Sequence, residues 1–480
     1  MAISNGMNKH YHLIGIGGIG MSGIAQLLLR HGVRVSGSDL KENKITEELK
    51  KLGAQIFIGH NPLNIKGADL IIYSSAIDAS NPELQEAKRR AIPLIKRAEA
   101  LARLMEGKAV ITVTGSHGKT TTTSLASYLL LQAGLSPTVA VGGILRNIGT
   151  NACFGEGEFF VAEADESDGS FLYYRPKYSI ITNIDYEHLN YYKEFEKEIA
   201  AFNKFLNNTE KDGCVFGCGD DIHLKKLLKN YKGRYVLFGL SETADIYPKN
   251  IQLDGLTSRF DCFYKPRTFS KVRGKDKFTP PLRAKAGFID SFYLALGGRH
   301  NISNALSVIA LGIELGIDLE FIKNTLSNYK GAKRRLEIKF SNKDYLLIDD
   351  YAHHPTEIKA TLSALSSLNS HRTIAVFQPH RYTRTKLLLD EFGKSFDLAD
   401  YVIITDIYPA GELPEEGVSG RLIYDRIKKY SPEKEVYFLS KEEIAPYILK
   451  ILKPHDLLVT LGAGDIVKTC DELVEEFKNF

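Results

Sequence analysis

Residues 109–134, AVITVTGSHGKTTTTSLASYLLLQAG, constrain this chain more than any other stretch. An apolar run suited to a buried strand breaks into a loop of small residues, and the loop opens a helical pattern that stops at Gly134. A strand feeding a helix through so short a loop calls for a parallel sheet with helices on its faces. The loop also leaves backbone N–H groups pointing out at a helix N-terminus, where they can cradle phosphate oxygens. Lys119 can neutralise a transferring phosphoryl group, and the Thr120 hydroxyl can hold Mg2+. The run departs from the GxxxxGK pattern, because Val113 stands where that pattern needs glycine. A glycine and serine turn that happens to carry a lysine is the plainer alternative.

The same punctuation recurs on both sides. From residue 10 to about 105, YHLIGI, a helix over 18–31, RVSGSD, ITEELKKLG, QIFIG, ADLIIYSSAI and NPELQEAKRRA alternate as strand and helix. After NYKGAKRRLE the alternation restarts with DYLLIDDY, a helix from 355, TIAVFQP, a helix from 383, DYVIITDIY, EVYFL and DLLVTLGAG. These restarts predict an α/β protein of three domains. Residues 1–106 form a Rossmann-like domain, 107–329 a central P-loop-type ATPase domain with a mostly parallel sheet, and 330–480 a Rossmann-like C-terminal domain. A length of 480 residues agrees, since single cores stop growing at roughly 250 to 300 residues. Residues 240–295, mixed in Pro, Gly, Lys and aromatics, read as antiparallel strands or excursions.

A second phosphate-type loop lies in LIGIGGIGMSGIA, residues 13–25, with Asp39 closing the next apolar run. Alone it fits a dinucleotide fingerprint and suggests a nicotinamide dehydrogenase. That reading leaves TGSHGKTTTT and the third domain without a job. Two such loops suggest instead that ATP energy is used on a substrate carrying its own pyrophosphate.

Composition excludes several classes. A net charge of +4 with scattered basic residues gives no ground for nucleic-acid binding. The cysteines at 153, 214, 218, 262 and 470 lack zinc or redox spacing. The chain has no long signal-type apolar region and no run of about 18 apolar residues, so we expect a cytoplasmic protein with no membrane partner.

Chemistry-bearing residues gather at predicted strand ends. EADESDGSF offers Glu163, Asp165, Glu166 and Asp168 as hard oxygen ligands for Mg2+ or as a solvated acidic loop. His188 ends TNIDYEH as a metal ligand, a proton carrier or a surface residue. Asn301 and Asn304 share a helix face, where they suit an adenine edge or a helix cap. His353, His354, His380, Arg381 and Arg384 cluster by type in DDYAHHPTE and FQPHRYTRT. Arginine forks of this kind recognise carboxylates; a solvated basic rim is the alternative.

Together GIGGIGMSGIA, TGSHGKTTTT, EADESDGSF, TNIDYEH, GRHNISNAL, DDYAHHPTE, QPHRYTRT and LGAGDI resemble the motifs of the Mur ligases of peptidoglycan synthesis, in order over nearly the whole chain. The resemblance implies that ATP phosphorylates the lactyl carboxylate of UDP-N-acetylmuramate. The L-alanine amine then attacks the acyl phosphate, and the tetrahedral intermediate collapses to amide, ADP and phosphate. Because water would destroy the acyl phosphate, the third domain is expected to close over the second.

Carried over residue by residue, the resemblance makes Gly115, Ser116, His117, Gly118, Lys119, Thr120 and Thr121 the ATP loop. Thr120 and Glu163 hold Mg2+, and His188 helps hold a second metal, with Mn2+ as the alternative ion. Asn301 and Asn304 contact adenine, and Arg335 and Asp350 complete the ATP site. Tyr351, His353, His380, Arg381 and Arg384 form the L-alanine pocket. Lys119, Glu163, His188, His353 and Arg381 stand nearest the chemistry. The loop of Gly15, Gly17, Gly18, Ile19 and Gly20 takes the UDP pyrophosphate, and Asp39 faces the uridine end. Ser74, Ser75, Arg97, His117 and Asn183 are further muramate contacts.

Ser116, Ala352 and Glu187 depart conservatively from the family pattern. Asn203, beside Lys204, leaves no lysine for the carbamoylation used by sister ligases. The implied partners are UDP-N-acetylmuramate and L-alanine, on a monomer or weak homodimer. A family member that joins a preformed tripeptide to the same muramate is the nearest alternative, and a non-catalytic nucleotide-dependent module a remoter one.

Overall fold

The computed structural model describes residues 9–74, 76–186, 189–266, 285–368, 370 and 372–478. The chain forms two compact units, one of Met1–Lys249, Asp261–Phe292 and Ser303–Tyr329, the other of Asn250–Phe260, Tyr293–Ile302 and Lys330–Phe480.

The first sheet is built from β1 (His10–Ile14), β2 (Arg34–Asp39), β3 (Gln55–Ile58), β4 (Leu70–Tyr73) and β5 (Leu94–Lys96). Helices α1 (Ile19–Arg30), α2 (Lys44–Lys51), α3 (Pro82–Arg89) and α4 (Arg97–Leu104) connect or follow these strands. All pairings are parallel in the order β3-β2-β1-β4-β5. The order reverses between β1 and β4, and ligands of open α/β sheets bind outside the strand ends at such a point. The loop after β1 and Ser74 after β4 meet there, a Cβ built on Gly15 lying 3.9 Å from that of Ser74.

Beneath that point lies a buried polar chain. Alternate residues of β1 and β2 face one side, so His10, His12, Ser36 and Ser38 line up. They reach Glu83 of α3, which has no exposed surface. Its carboxylate accepts Ser38 Oγ at 2.6 Å and Asn64 Nδ2 at 2.6 Å, with His12 Nε2 at 3.5 Å. Burial favours the neutral acid, but the bonds from His12, Ser38 and Asn64 outweigh it and hold the carboxyl below its ordinary 4.5. A depressed folded-state pKa gives stability that is present above the unfolded value and lost as pH falls through the folded one. We therefore expect Glu83→Ala to cost about 3–5 kcal/mol, as removing one partner of a buried charged network does. We also expect Glu83→Gln to flatten the acid limb of thermal unfolding below about pH 4.5. Melting temperatures recorded from pH 3 to 7 check both, and an unchanged acid limb in Glu83→Gln would refute the assignment.

The second sheet contains β6 (Ala109–Thr114), β7 (Thr138–Ala140), β8 (Ala152–Cys153), β9 (Phe159–Glu163), β10 (Tyr178–Ile181), β11 (Cys214–Cys218) and β12 (Arg234–Phe238). It continues through β13 (Ile246–Asp254), β14 (Thr257–Tyr264) and β15 (Gly287–Leu294), in the order β15-β14-β13-β12-β11-β10-β6-β9-β7-β8. The described part of the irregular-looking stretch near 240–295 thus supplies three strands. Helices α5 (Lys119–Gln132), α6 (Leu189–Tyr192), α7 (Phe195–Asn207), α8 (Ile222–Asn230), α9 (Arg299–Glu314) and α10 (Leu319–Asn328) accompany it. Although α5 begins KTTTTS, it is buried. Thr123 and Ser127 donate to the carbonyls of Lys119 and Thr123 at 2.8 and 2.7 Å, which satisfies hydroxyls that would otherwise cost burial energy. The two sheets of this unit are tied together: Asn151 Nδ2 donates to the Ile19 carbonyl at 2.7 Å.

The third sheet, order β16-β17-β21-β18-β19-β20, is made of β16 (Glu337–Ser341), β17 (Tyr345–Asp350), β18 (Arg372–Phe377), β19 (Tyr401–Ile404), β20 (Glu435–Phe438) and β21 (Asp456–Leu461). Only the β16–β17 pair is antiparallel. Its helices are α11 (Pro355–Leu365), α12 (Tyr382–Leu387), α13 (Leu389–Gly393), α14 (Arg421–Tyr430), α15 (Lys441–Ile451) and α16 (Ile466–Phe477). The strands read as unbroken apolar runs because both faces are covered. Ala375 and Phe377 join the core with α11, α13 and α14, while Ile374 and Val376 join that with α15 and α16. This bears out the α/β expectation of mostly parallel sheets.

Candidate functional site

β6 lies between β10 and β9, so its loop meets the loops after both neighbours. Gly115 has φ +126, and a Cβ there would lie 2.3 Å from Thr182 Oγ1 and 2.9 Å from the Asn183 nitrogen. Asn183 accepts from His117 N at 2.8 Å and donates to His117 O at 3.0 Å. Ser116 Oγ accepts from Asp185 N, and His117 Nε2 meets Asp185 Oδ2, both at 2.8 Å. Loop 115–118 is thereby stapled to the loop after β10. Asn183 and His117, expected near the muramate, are drawn into this staple.

Gly118, with φ +82, caps α5, whose first turn has neither a side-chain cap nor an acid. Such a helix start favours an anion. Asn304 lies against it, 2.8 Å from a Cβ built on Gly118. Lys119 Nζ donates to the Gly115 carbonyl and to Glu166 Oε1, each at 2.7 Å. Burial works against its charge, but Glu166 and Asp165 outweigh that and raise its pKa. Glu166 is fully buried.

Glu163 ends β9. It accepts from Thr120 Oγ1 at 3.2 Å and from Gly142 N at 3.0 Å. Burial pushes its carboxyl up against the pull of Lys119. Hydroxyl and carboxylate oxygens side by side fit a hard divalent cation such as Mg2+. Thr121 sits one residue on, its carbonyl 3.4 Å from Tyr329 Oη. His188 lies outside the described residues, as does Ser75.

At the other loop, Gly15 N and Ile16 N donate to the Ser38 carbonyl at 2.8 and 3.1 Å. Gly17 N donates to Asp39 Oδ2 at 2.9 Å, so Asp39, at the end of β2, braces the loop after β1. A Cβ on Gly17 would lie 2.9 Å from that oxygen, and one on Gly20 would lie 2.8 Å from Arg97 Nη1. Gly18 is the uncapped N-terminus of α1, and Ile19 is exposed. Arg97 stands 3.9 Å from Asp165. One cavity of about 110 Å³ is lined by Gly20 and Gly23 of α1, by Arg97, and by Glu163 and Asp165. The start of α1 and the acids that end β9 therefore face one space.

In the second unit the ends of β17, β21 and β18 are neighbours. Asp350 accepts from Leu336 N at 2.6 Å and Ala352 N at 2.8 Å, yet burial pushes its carboxyl up to about 6. Arg335 lies over the Tyr351 ring, 5.0 Å from its centroid. Asn301 donates to the Gly297 carbonyl at 2.8 Å. Tyr351, His353 and His380 form a ladder of rings, with centroids 5.5 and 5.4 Å apart. Burial, then the charges of His353, Arg384 and Arg381, drive His380 down to about 2. It is neutral, and its Nδ1 accepts from Arg384 Nη1 at 3.2 Å. Arg381 precedes α12 at φ +73, a conformation that side chains rarely adopt.

Three residues that the sequence reading passed over belong here. Arg334 donates to Asp349, Gly464 O and Gly462 O at 2.8, 3.0 and 2.6 Å, fixing the LGAGD loop. Tyr408 stacks on His380 at 5.7 Å and 11°. Glu357 meets the His353 backbone N–H at 3.0 Å. Only Arg334 carried a signal, as the neighbour of Arg335 in KRRLE.

Three family models match this chain in order: Mur ligase family, catalytic domain, over residues 10–109; Mur ligase middle domain, over 113–312; and Mur ligase, glutamate ligase domain, over 334–464. A UDP-N-acetylmuramate-L-alanine ligase of Sulfurihydrogenibium sp. is 45% identical, with 98% of each chain covered. The enzyme of that name from Geotalea uraniireducens is 42% identical over 98% of this chain and 99% of its own. The crystal structure of UDP-N-acetylmuramate-alanine ligase MurC from Thermotoga maritima aligns with a TM-score of 0.80 at 30% identity, covering 98% of this chain and 99% of that one. Among the described residues no helix is long and apolar enough to cross a membrane. With family domains matched in order across 10–464 and relatives aligned end to end, the chain belongs to the Mur ligase family.

Proposed function

We propose that this chain joins L-alanine to the lactyl carboxylate of UDP-N-acetylmuramate at the expense of ATP. The observation that carries this reading is the cavity lined both by the glycine helix start at Gly20 and by Glu163 and Asp165. A substrate with a pyrophosphate at one end and a reacting carboxylate at the other can span those two places. Full-length relatives at 42 and 45% identity bear the name of the alanine enzyme, which favours alanine over the tripeptide. The dehydrogenase reading is left with no use for Lys119 and its loop.

In this reading residues 1–106 bind the UDP substrate through Gly15, Gly17, Gly18, Ile19, Gly20, Ser74 and Arg97. Asp39 and Asn183 bind the same substrate while bracing the loops beside it. Residues 107–329 bind ATP. The lactyl carboxylate oxygen attacks the γ-phosphorus, the bond to the β,γ-bridging oxygen breaks, and ADP leaves. Lys119 neutralises charge on the moving phosphoryl group. Thr120 and Glu163 would hold Mg2+, which when bound spreads the charge of the ATP phosphates. Asn301, Asn304, Arg335 and Asp350 complete the nucleotide contacts. Residues 330–480 receive the amino acid. Arg381 and Arg384 pair with its carboxylate, and Tyr351, His353 and His380 orient its amine toward the acyl carbon.

The test is phosphate release from ATP and Mg2+. We expect release only when UDP-N-acetylmuramate and L-alanine are both present. Release with neither, or only with the tripeptide in place of alanine, would overturn the reading. Glycine and L-serine as competitors measure a selectivity that pocket volume sets at about 1–3 kcal/mol per methylene.

A further inference from the structure

The chain after β19 runs into the amino-acid pocket of the second unit. Tyr408 N donates to the Pro379 carbonyl, and Arg381 N donates to the Tyr408 carbonyl, each at 2.8 Å. The Tyr408 ring lies parallel to His380, centroids 5.7 Å apart and planes at 11°, while His353 stands 5.4 Å from His380. A Cβ on Gly464 would come within 2.6 Å of Tyr408 Cγ, so a glycine at 464 makes room for this ring. Four residues on, Glu412 accepts from Thr383 Oγ1 at 2.6 Å and Thr383 N at 3.1 Å, clamping the start of the helix that carries Arg384.

We propose that Tyr408 is a positioning residue of the amino-acid pocket, holding the His380 ring and the strained Arg381 turn in the orientation that receives the L-alanine carboxylate. The inference rests on the alanine reading above. The bond from the Tyr408 backbone to Arg381 survives any substitution, so what the side chain adds is the stack on His380. A parallel aromatic neighbour fixes the rotation of an imidazole. His380 Nδ1, in turn, accepts from Arg384. Loss of the stack therefore reaches the arginine that binds the carboxylate.

The experiment compares Tyr408→Ala, Tyr408→Leu and Tyr408→Phe in the full chain, with kcat and the KM of each substrate. Tyr408→Ala should raise the KM for L-alanine about tenfold, the scale of one lost aromatic pair. The KM values for ATP and UDP-N-acetylmuramate should stay within about twofold of wild type. Tyr408→Phe should recover most of the affinity, and Tyr408→Leu, similar in bulk without a ring, should recover little. An unchanged alanine KM in Tyr408→Ala overturns the inference. So does Tyr408→Phe as damaging as alanine, or a uniform rise in all three KM values with a lowered melting temperature. A wild type that releases phosphate without L-alanine overturns the alanine reading itself. A wild type that requires alanine, beside an unaffected Tyr408→Ala, overturns this inference alone.

Discussion

Lys119→Met should lower ATP-dependent phosphate release by about a thousandfold, the scale on which a preorganised charge at a transition state acts. Lys119 sits at the first position of α5 with its ammonium turned back over the loop onto Gly115 O and Glu166. The substitution has a second consequence, because Glu166 is wholly buried. Left without its cation, Glu166 should destabilise the first unit by about 3–5 kcal/mol. The double variant Lys119→Met with Glu166→Gln separates the two effects, since a neutral amide no longer needs the ammonium. We expect it to regain most of the melting temperature and none of the turnover. Both variants should bind UDP-N-acetylmuramate within about threefold of wild type, as the glycine loop at 15–20 is a separate element. Calorimetry and the phosphate assay read these outcomes. Recovered turnover in the double variant would remove Lys119 from the chemistry.

Much of the architecture could be read from local pattern. Strands of a doubly covered parallel sheet are continuous apolar runs, and AVITVTG, YSIITNI and DLLVTLGAG show it plainly. Loops at strand ends are equally legible when glycine is needed for close approach, as at Gly17 and Gly115. What stayed hidden was set by distant partners. The acceptor of Lys119 is forty-seven positions away, and nothing in EADESDGSF tells Glu166, the partner, from Asp165 or Asp168. Arg334 and Arg335 are adjacent and alike. Positive φ values of 59 and 46 at Arg334 and Leu336 turn Arg334 toward Gly462 and Gly464, while Arg335 lies over Tyr351. His10 and His12 alternate with apolar neighbours and so mimic a solvated strand face, yet both are buried against Ser36. Short strands such as β5, β7 and β8 carry too few residues to show a period, and their pairing partners define them. Asp39, placed by its spacing at the uridine end, also accepts Gly17 N, a bond that motif spacing does not encode.

Of the two glycines that shape loop 115–118, Gly115 should tolerate alanine far less than Gly118. At Gly118 the added Cβ meets the end of the Asn304 side chain at 2.8 Å, and an amide can swing aside. The left-handed backbone there costs a non-glycine residue about 1 kcal/mol. Gly118→Ala should therefore stay folded and lose about tenfold in kcat/KM for ATP, chiefly through KM, as Asn304 is displaced. At Gly115 the Cβ meets Asn183 N and O at 2.9 and 2.8 Å and Thr182 Oγ1 at 2.3 Å. Backbone cannot move aside without breaking the bonds from Ser116 N to Asn183 O and from Asp185 N to Ser116 Oγ. The loop must then shift by an ångström or so, and a misplacement of that size costs about a hundredfold in kcat. Thr182→Ala removes the nearest atom and leaves both backbone contacts. If the backbone contacts decide the outcome, the pair Gly115→Ala with Thr182→Ala stays as inactive as Gly115→Ala alone. Rescue by that pair would show that the hydroxyl was the obstacle and that the loop after β10 can yield.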